Sequence, residues 1–146
     1  MKLKFIFLGK KNTSSYDLIM NNYLKRINSY TSSEFIFISD KKEQKIDQKV
    51  EQLLKPKDCL IVLDEKGKLF NTIDFCDFVH SKITLFNSVC FLIGGSYGFS
   101  KNIMKKAHAV ISLSKMTLPH MLARLMLVEQ IYRVITIINN HPYHHE

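Results

Sequence analysis

No stretch of the 146-residue chain approaches the roughly 20 apolar residues that a membrane-spanning helix needs. The long apolar tract from Leu118 to Ile138 is interrupted by His120, Arg124, Glu129, Gln130 and Arg133. The amino terminus is equally short of a secretory signal: its apolar stretch runs only from Phe5 to Leu8, where an h-region takes about 7 to 15 residues, and Lys10 and Lys11 follow. A cytoplasmic protein with no membrane association is expected. Cysteine is scarce, with Cys59, Cys76 and Cys90 forming an odd set that has no Cys-x-x-Cys spacing. Cys59 and Cys90 lie within apolar runs, where a thiol behaves as a small hydrophobe, so reduced buried thiols are expected rather than a disulfide or a metal site. Repeats, linkers and low-complexity tracts are also missing. The length suits one compact domain over residues 1–146, and 46% hydrophobic with 23% charged residues excludes a disordered or fibrous chain.

Negative charge is absent from a third of the chain. No acidic residue stands between Asp77 and Glu129, whereas Lys82, Lys101, Lys105, Lys106, Lys115 and Arg124 all fall there, within a total net charge of +8. A one-signed field of this kind attracts a phosphate backbone, which makes RNA the expected partner.

Short β-like runs alternate with amphipathic helical stretches, a pattern that predicts an α/β fold with a mostly parallel sheet and helices on both faces. Strands are expected at Lys2 to Leu8, Phe35 to Ile38, Cys59 to Leu63, Val89 to Ile93 and Ala109 to Leu113. The third ends at Asp64 in this reading. Helices are expected from about Ser14 to Ile27, Lys42 to Leu54 with Pro56 beyond its end, a third capped by Thr72, and a short basic one capped by Ser100. The last begins after Thr117, with Pro119 in its first turn, and runs to about Asn139. It is apolar almost all round, which requires either a central place in the fold or a second subunit, and a homodimer is expected.

Four segments can carry chemistry. Three lie at carboxyl ends of predicted strands, where open α/β sheets bind ligands. Val62-Leu63-Asp64-Glu65-Lys66-Gly67 is a strand exit into a polar turn. Ile93-Gly94-Gly95-Ser96-Tyr97-Gly98 has the glycines that allow a backbone to approach a ligand closely, although a plain tight turn has the same composition. It is neither a Walker loop nor a dinucleotide fingerprint, since the spacing of both is missing. Leu113-Ser114-Lys115-Met116-Thr117-Leu118-Pro119-His120 can offer backbone groups to an adenine edge while Met116 and Leu118 cover its faces, or can supply core side chains. The fourth is the tail from Asn139 to Glu146, with His141, Tyr143, His144 and His145. Its histidines lack a second ligand cluster, so no metal is expected. With no Gly-x-Ser-x-Gly the chain is not read as a hydrolase.

Leu92-Ile-Gly-Gly-Ser-Tyr-Gly98, Leu113-Ser-Lys-Met-Thr-Leu-Pro-His120, Arg124, Glu129-Gln130-x-Tyr132-Arg133 and Asn140-His-Pro-Tyr-His144 together resemble the RlmH family of SPOUT methyltransferases, the ribosomal RNA pseudouridine N3-methyltransferases. The resemblance spans essentially the whole chain. It implies a homodimeric enzyme with a trefoil knot in its carboxyl-terminal half, acting on large-subunit ribosomal RNA, in assembled ribosomes, with S-adenosylmethionine. Leu63, Gly94 and the loop Leu113, Ser114, Lys115, Met116, Thr117 and Leu118 are then the expected cofactor residues. Arg124, His120, His141 and His144 are the expected catalytic group, and Lys101, Lys105, Lys106, Arg133 and Tyr143 the expected RNA contacts. His145 stands where similar tails carry arginine, which removes a permanent cation from that end. Two other functions fit the same fold: a noncatalytic RNA- or ribosome-binding protein, and a SPOUT methyltransferase acting on transfer RNA.

Overall fold

A computed structural model of the protein describes residues 1–11, 14–94 and 98–145. Five strands, β1 (Lys2–Leu8), β2 (Ser32–Ile38), β3 (Asp58–Leu69), β4 (Ser88–Ile93) and β5 (Ala109–Ser112), form one sheet in the order β2-β1-β4-β3-β5, and every pairing is parallel. The helices α1 (Ser15–Asn28), α2 (Glu43–Leu53), α3 (Thr72–Leu85), α4 (Lys101–Lys106) and α5 (His120–Ile138) fill the connections and the carboxyl-terminal part. The α/β architecture expected from the alternation is therefore present.

The alternation of side chains along each central strand builds two cores. In β1, Leu3, Phe5 and Phe7 enter one core with Val89, Phe91 and Ile93 of β4 and Cys59, Ile61 and Leu63 of β3, all covered by α1, α3 and α5. The intervening Ile6, Leu60, Val62, Cys90 and Leu92 face the opposite side, against Val50 of α2 and Ile103 of α4. Such period-two switching is what a parallel sheet buried on both faces demands, and it makes the strands read as unbroken apolar runs. Phe5 is in register with Phe35 and Phe91, its ring 5.6 Å from the first edge-on and 5.7 Å from the second in a stack. Truncating this fully buried ring to alanine is expected to cost about 3–5 kcal/mol. All three cysteines are free and buried, and burial pushes the thiols up, to about 11 for Cys59 and about 12 for Cys90, as expected of inert core groups.

Several boundaries differ from the sequence reading. β2 begins at Ser32 rather than Phe35, because Ser32, Ser33 and Glu34 pair with Lys2, Leu3 and Lys4 at a sheet edge where polar side chains are tolerated. β3 does not end at Asp64: it continues to Leu69, and both Leu63 and Lys68 pair with Ile111, so the polar residues 64–67 form a bulge inside the strand. The cap of α3 is Asn71, whose side chain accepts from Asp74 N at 2.8 Å, with Thr72 already helical. Pro119 sits at the cap position of α5 rather than within its first turn.

α5 lies against α1 and α3 on the sheet, and Leu127, Val128, Ile131, Val134 and Ile135 are buried there. A central position thus accounts for much of its apolar character. Met121, Leu122, Leu125 and Met126 form a stripe that stays only half-buried.

Candidate active site

A cavity of about 430 Å³ opens where the bulge of β3 and the carboxyl ends of β4 and β5 meet the first turn of α5. The bulge of β3 supplies Asp64 and Glu65 beside Leu63. Ile93 and Gly94 end β4, Gly98 and Phe99 follow, and Ser112 ends β5. The β5–α5 loop adds Leu113, Ser114, Met116, Thr117, Leu118 and Pro119, and α5 adds His120 and Ala123. Local hydrogen bonds fix these turns. Ser112 Oγ donates to Ser114 O at 2.8 Å, Ser114 Oγ accepts from Met116 N at 2.9 Å, and Asp64 Oδ1 accepts from Lys66 N at 2.9 Å. Ser112, Ser114 and Asp64 are thereby tied to their own backbone, and the wall offers a ligand apolar cover, main-chain groups and the side chains of Asp64, Glu65, Thr117 and His120.

Gly94 shapes the cavity by what it omits. A Cβ at that position would lie 2.8 Å from Cζ of Phe99, so the ring occupies space that any other residue would claim.

The structure brings together Leu63, Gly94, Leu113, Ser114, Met116, Thr117 and Leu118, with His120 at the cavity edge. Lys115 is exposed and does not line the cavity. Of the glycine segment, Gly95, Ser96 and Tyr97 lie outside the described residues, as does Glu146 of the tail. Sequence reasoning passed over Phe99 and Ala123. Phe99 carried a signal, being the first bulky side chain after three glycines at a strand end. Ala123 carried none, since its position depends on where α5 starts.

Arg124 does not line the cavity. Its side chain is among the largest fully buried ones, with Nη2 donating to Leu8 O at 3.1 Å and the guanidinium 5.0 Å from the Phe7 ring centre. Burial pulls its pKa down from the ordinary value, and the carboxylate of Asp17 opposes that shift.

His141 and His144 lie away from His120 within the chain. The tail turns at Asn140, which has φ 57°, and folds back along α5. His141 N donates to Thr136 O at 2.9 Å, and Arg133 Nη1 is 3.1 Å from His144 Nδ1. Thirteen residues of helix separate Arg133 from His120, about 20 Å at 1.5 Å per residue. Arg133 and Tyr143 share Glu129: the guanidinium donates to Glu129 Oε1 at 2.6 Å, and the Tyr143 hydroxyl donates to the same atom at 3.0 Å. Burial, then hydrogen bonding to Tyr23 and Glu129, pushes the Tyr143 phenol above its ordinary value.

Of the candidate RNA contacts on α4, Lys101 and Lys105 are exposed, while Lys106 pairs with Glu51 on α2. That contact, together with Asn102, holds the Glu51 carboxyl below its usual range. Lys106 is thus partly neutralised within the fold. Among the described residues, no group of three histidine, cysteine, aspartate or glutamate side chains gathers as a metal site, and no helix is long and apolar enough to cross a membrane.

Comparison with known proteins returns one family, described as a predicted SPOUT methyltransferase, over residues 1–144. Curated relatives matched along their whole length include the ribosomal RNA large subunit methyltransferase H of Parabacteroides distasonis, 39% identical across 100% of both chains. The proteins of that name from Flavobacterium psychrophilum and Christiangramia forsetii are 37% and 35% identical, over 100% and 99% of both chains.

Proposed function

Because the chain belongs to the SPOUT methyltransferase family, we propose that it moves a methyl group from S-adenosylmethionine to N3 of a pseudouridine in large-subunit ribosomal RNA. The observation that carries this reading is the meeting of the β3 bulge, the ends of β4 and β5 and the α5 amino terminus around one cavity of suitable size.

The cavity's chemistry fits the cofactor. Leu63, Leu113, Met116 and Leu118 give apolar cover for an adenine, the backbone around Gly94 and Ser114 gives hydrogen-bonding groups for its edge, and Asp64 and Glu65 give negative charge for a cationic, hydroxyl-rich molecule. When bound, S-adenosylmethionine supplies an electrophilic methyl group. The remaining task falls to the chain's own residues: to hold the nucleobase in line and to take up a proton, since N3 of pseudouridine is an imide nitrogen that is protonated at neutral pH. His120, on the cavity wall, offers a ring nitrogen for that proton or for orienting the base.

The tail histidines are too far from the cavity of their own chain to share this work, so the reading includes a homodimer in which one subunit's tail, with His141 and His144, completes the other's site. The half-buried Met121, Leu122, Leu125 and Met126 stripe of α5 supports such an association. A protein modifying ribosomal RNA works in the cytoplasm, where its substrate is. The form of the substrate included in this reading is the assembled ribosome.

Labelled cofactor offered with ribosomes and with transfer RNA tests the assignment, followed by mass spectrometry of the labelled nucleotide. The expected result is one N3-methylated pseudouridine in large-subunit RNA. Label in transfer RNA alone would replace the substrate. Absence of cofactor binding at millimolar concentration in a calorimeter would favour a noncatalytic ribosome-binding protein.

A further inference from the structure

A buried guanidinium needs a reason. Arg124 is 1% exposed, with its helix neighbours His120 and Ala123 on the cavity wall, yet both of its Nη atoms find their partners outside the cavity lining or on its own helix. Nη2 donates to Leu8 O at 3.1 Å, and Nη1 approaches Lys10 O and Met121 Sδ, each at 3.5 Å. The two carbonyls flank Gly9, which has φ 135°, strained for any residue with a side chain, and a Cβ there would lie 2.8 Å from Arg124 Nη2. Phe7 and Phe37 add ring faces at 5.0 and 5.9 Å. One side chain of α5 therefore clamps both sides of the sharp turn that ends β1. An apolar side chain of equal volume would fill the space with less desolvation, but it would hold neither carbonyl.

What the turn carries is Lys10, which is exposed. β1 is hydrogen-bonded to β4, with Phe7 in register with Ile93, so the turn starts about 4.8 Å across the sheet from the strand end where Gly94 enters the cavity. The next cation, Lys11, lines a cleft with Asp17 and Glu34, the second of which pairs with Lys2. Lys10 faces no such carboxylate among the ion pairs of the described residues.

We infer that Arg124 is a positioning residue rather than a participant in the chemistry: it fixes the turn at Gly9 so that Lys10 meets a phosphate of the RNA whose base enters the cavity. This rests on the RNA methyltransferase reading and adds to it a second docking element, at β1, apart from the basic helix α4.

Two variants test it, using the full chain. Lys10→Gln, a surface change, is expected to raise KM for ribosomes about fivefold, to weaken retention of large-subunit ribosomal RNA on a filter to the same extent, and to lower the slope of log affinity against log salt by about 1. Arg124→Lys keeps the charge and loses the fork that reaches two carbonyls, so the same rise in KM is expected, with cofactor affinity and kcat at saturating ribosomes within about twofold of the parent. If Arg124→Lys fails to fold by circular dichroism, Lys10→Gln alone decides. A drop in kcat with KM unchanged assigns Arg124 to the chemistry and overturns the inference, as does a Lys10→Gln protein with parental RNA affinity and salt slope. Filter retention needs no methyl transfer. Lys10-dependent RNA binding by a protein that transfers no methyl group would sink the proposed reaction and leave this inference standing.

Discussion

Replacing Gly94 by alanine places a methyl group 2.8 Å from Cζ of Phe99 and 3.2 Å from its two ε carbons. Carbon atoms at van der Waals contact stand about 3.5 Å apart, so the ring must withdraw by about 0.7 Å. Phe99 packs against the core under α2 and α4 on one side and lines the cavity on the other. The core side is close-packed and the cavity side is open, so the ring moves toward the cavity and the cost falls on the cofactor. Overpacking of this size is worth about 2 kcal/mol, which corresponds to about a thirtyfold rise in Kd for S-adenosylmethionine. Calorimetric titration reads the affinity, and a thermal melt without cofactor should stay within about 3 °C of the parent. Phe99→Ala in the same chain removes the clash, so the double variant should bind better than the sum of the single effects, by about 1 kcal/mol or more in a mutant cycle. Parental affinity in Gly94→Ala, or strict additivity in the cycle, would refute the reasoning.

Lys4 is 3.6 Å from Asp58 and donates to Leu53 O at 3.2 Å, in a pair whose side chains are 10% and 2% exposed; Lys4→Met leaves Asp58 buried without its cation, and should cost about 3 kcal/mol, or about 9 °C in the thermal midpoint. The raised pKa of Tyr143 means that its stabilising contribution is complete below the ordinary phenol value of about 10 and is lost as pH climbs from there toward the folded-state value; stability measured by urea titration should therefore fall above pH 10, and less steeply in Tyr143→Phe. If a partner's tail completes each site, Gly94→Val and His144→Ala chains, each inactive alone, should regain about a quarter of the parental activity when refolded together, because half the dimers are mixed and each holds one intact site. Persistent inactivity of the mixture would argue for sites built within one chain.

The strand cores were legible because a parallel sheet covered on both faces forces apolar runs such as Cys59 to Leu63 and Val89 to Ile93, which need no knowledge of their neighbours. Most of the cavity wall was legible for a related reason. Glycine after β4 and the hydroxyl-rich loop after β5 announce ligand-facing turns, and strand ends are where such turns meet. The bulge at 64–67 was not legible. Its polar residues look like a loop, and only the pairing of Lys68 with Ile111 returns the chain to the sheet. The placement of Arg124 was not legible either. An arginine near a histidine in a helix that borders a site reads as chemistry, whereas its direction is set by helix phase, about 100° per residue, which sends Ala123 to the cavity and Arg124 to the β1 turn.

By itself the sequence determined what local physics can dictate: which segments are strands and helices, which faces are apolar, where cationic charge is concentrated, and which turns can approach a ligand. Tertiary structure alone decided which of those turns share one cavity, that the tail folds back beside Glu129 about 20 Å of helix from His120, and that Lys106 is paired with Glu51 while Lys10 is presented on a clamped turn. Periodicity and composition are properties of neighbours along the chain. Convergence of β3, β4, β5 and α5 is a property of crossovers that bring together residues more than 50 positions apart, and no local pattern encodes it.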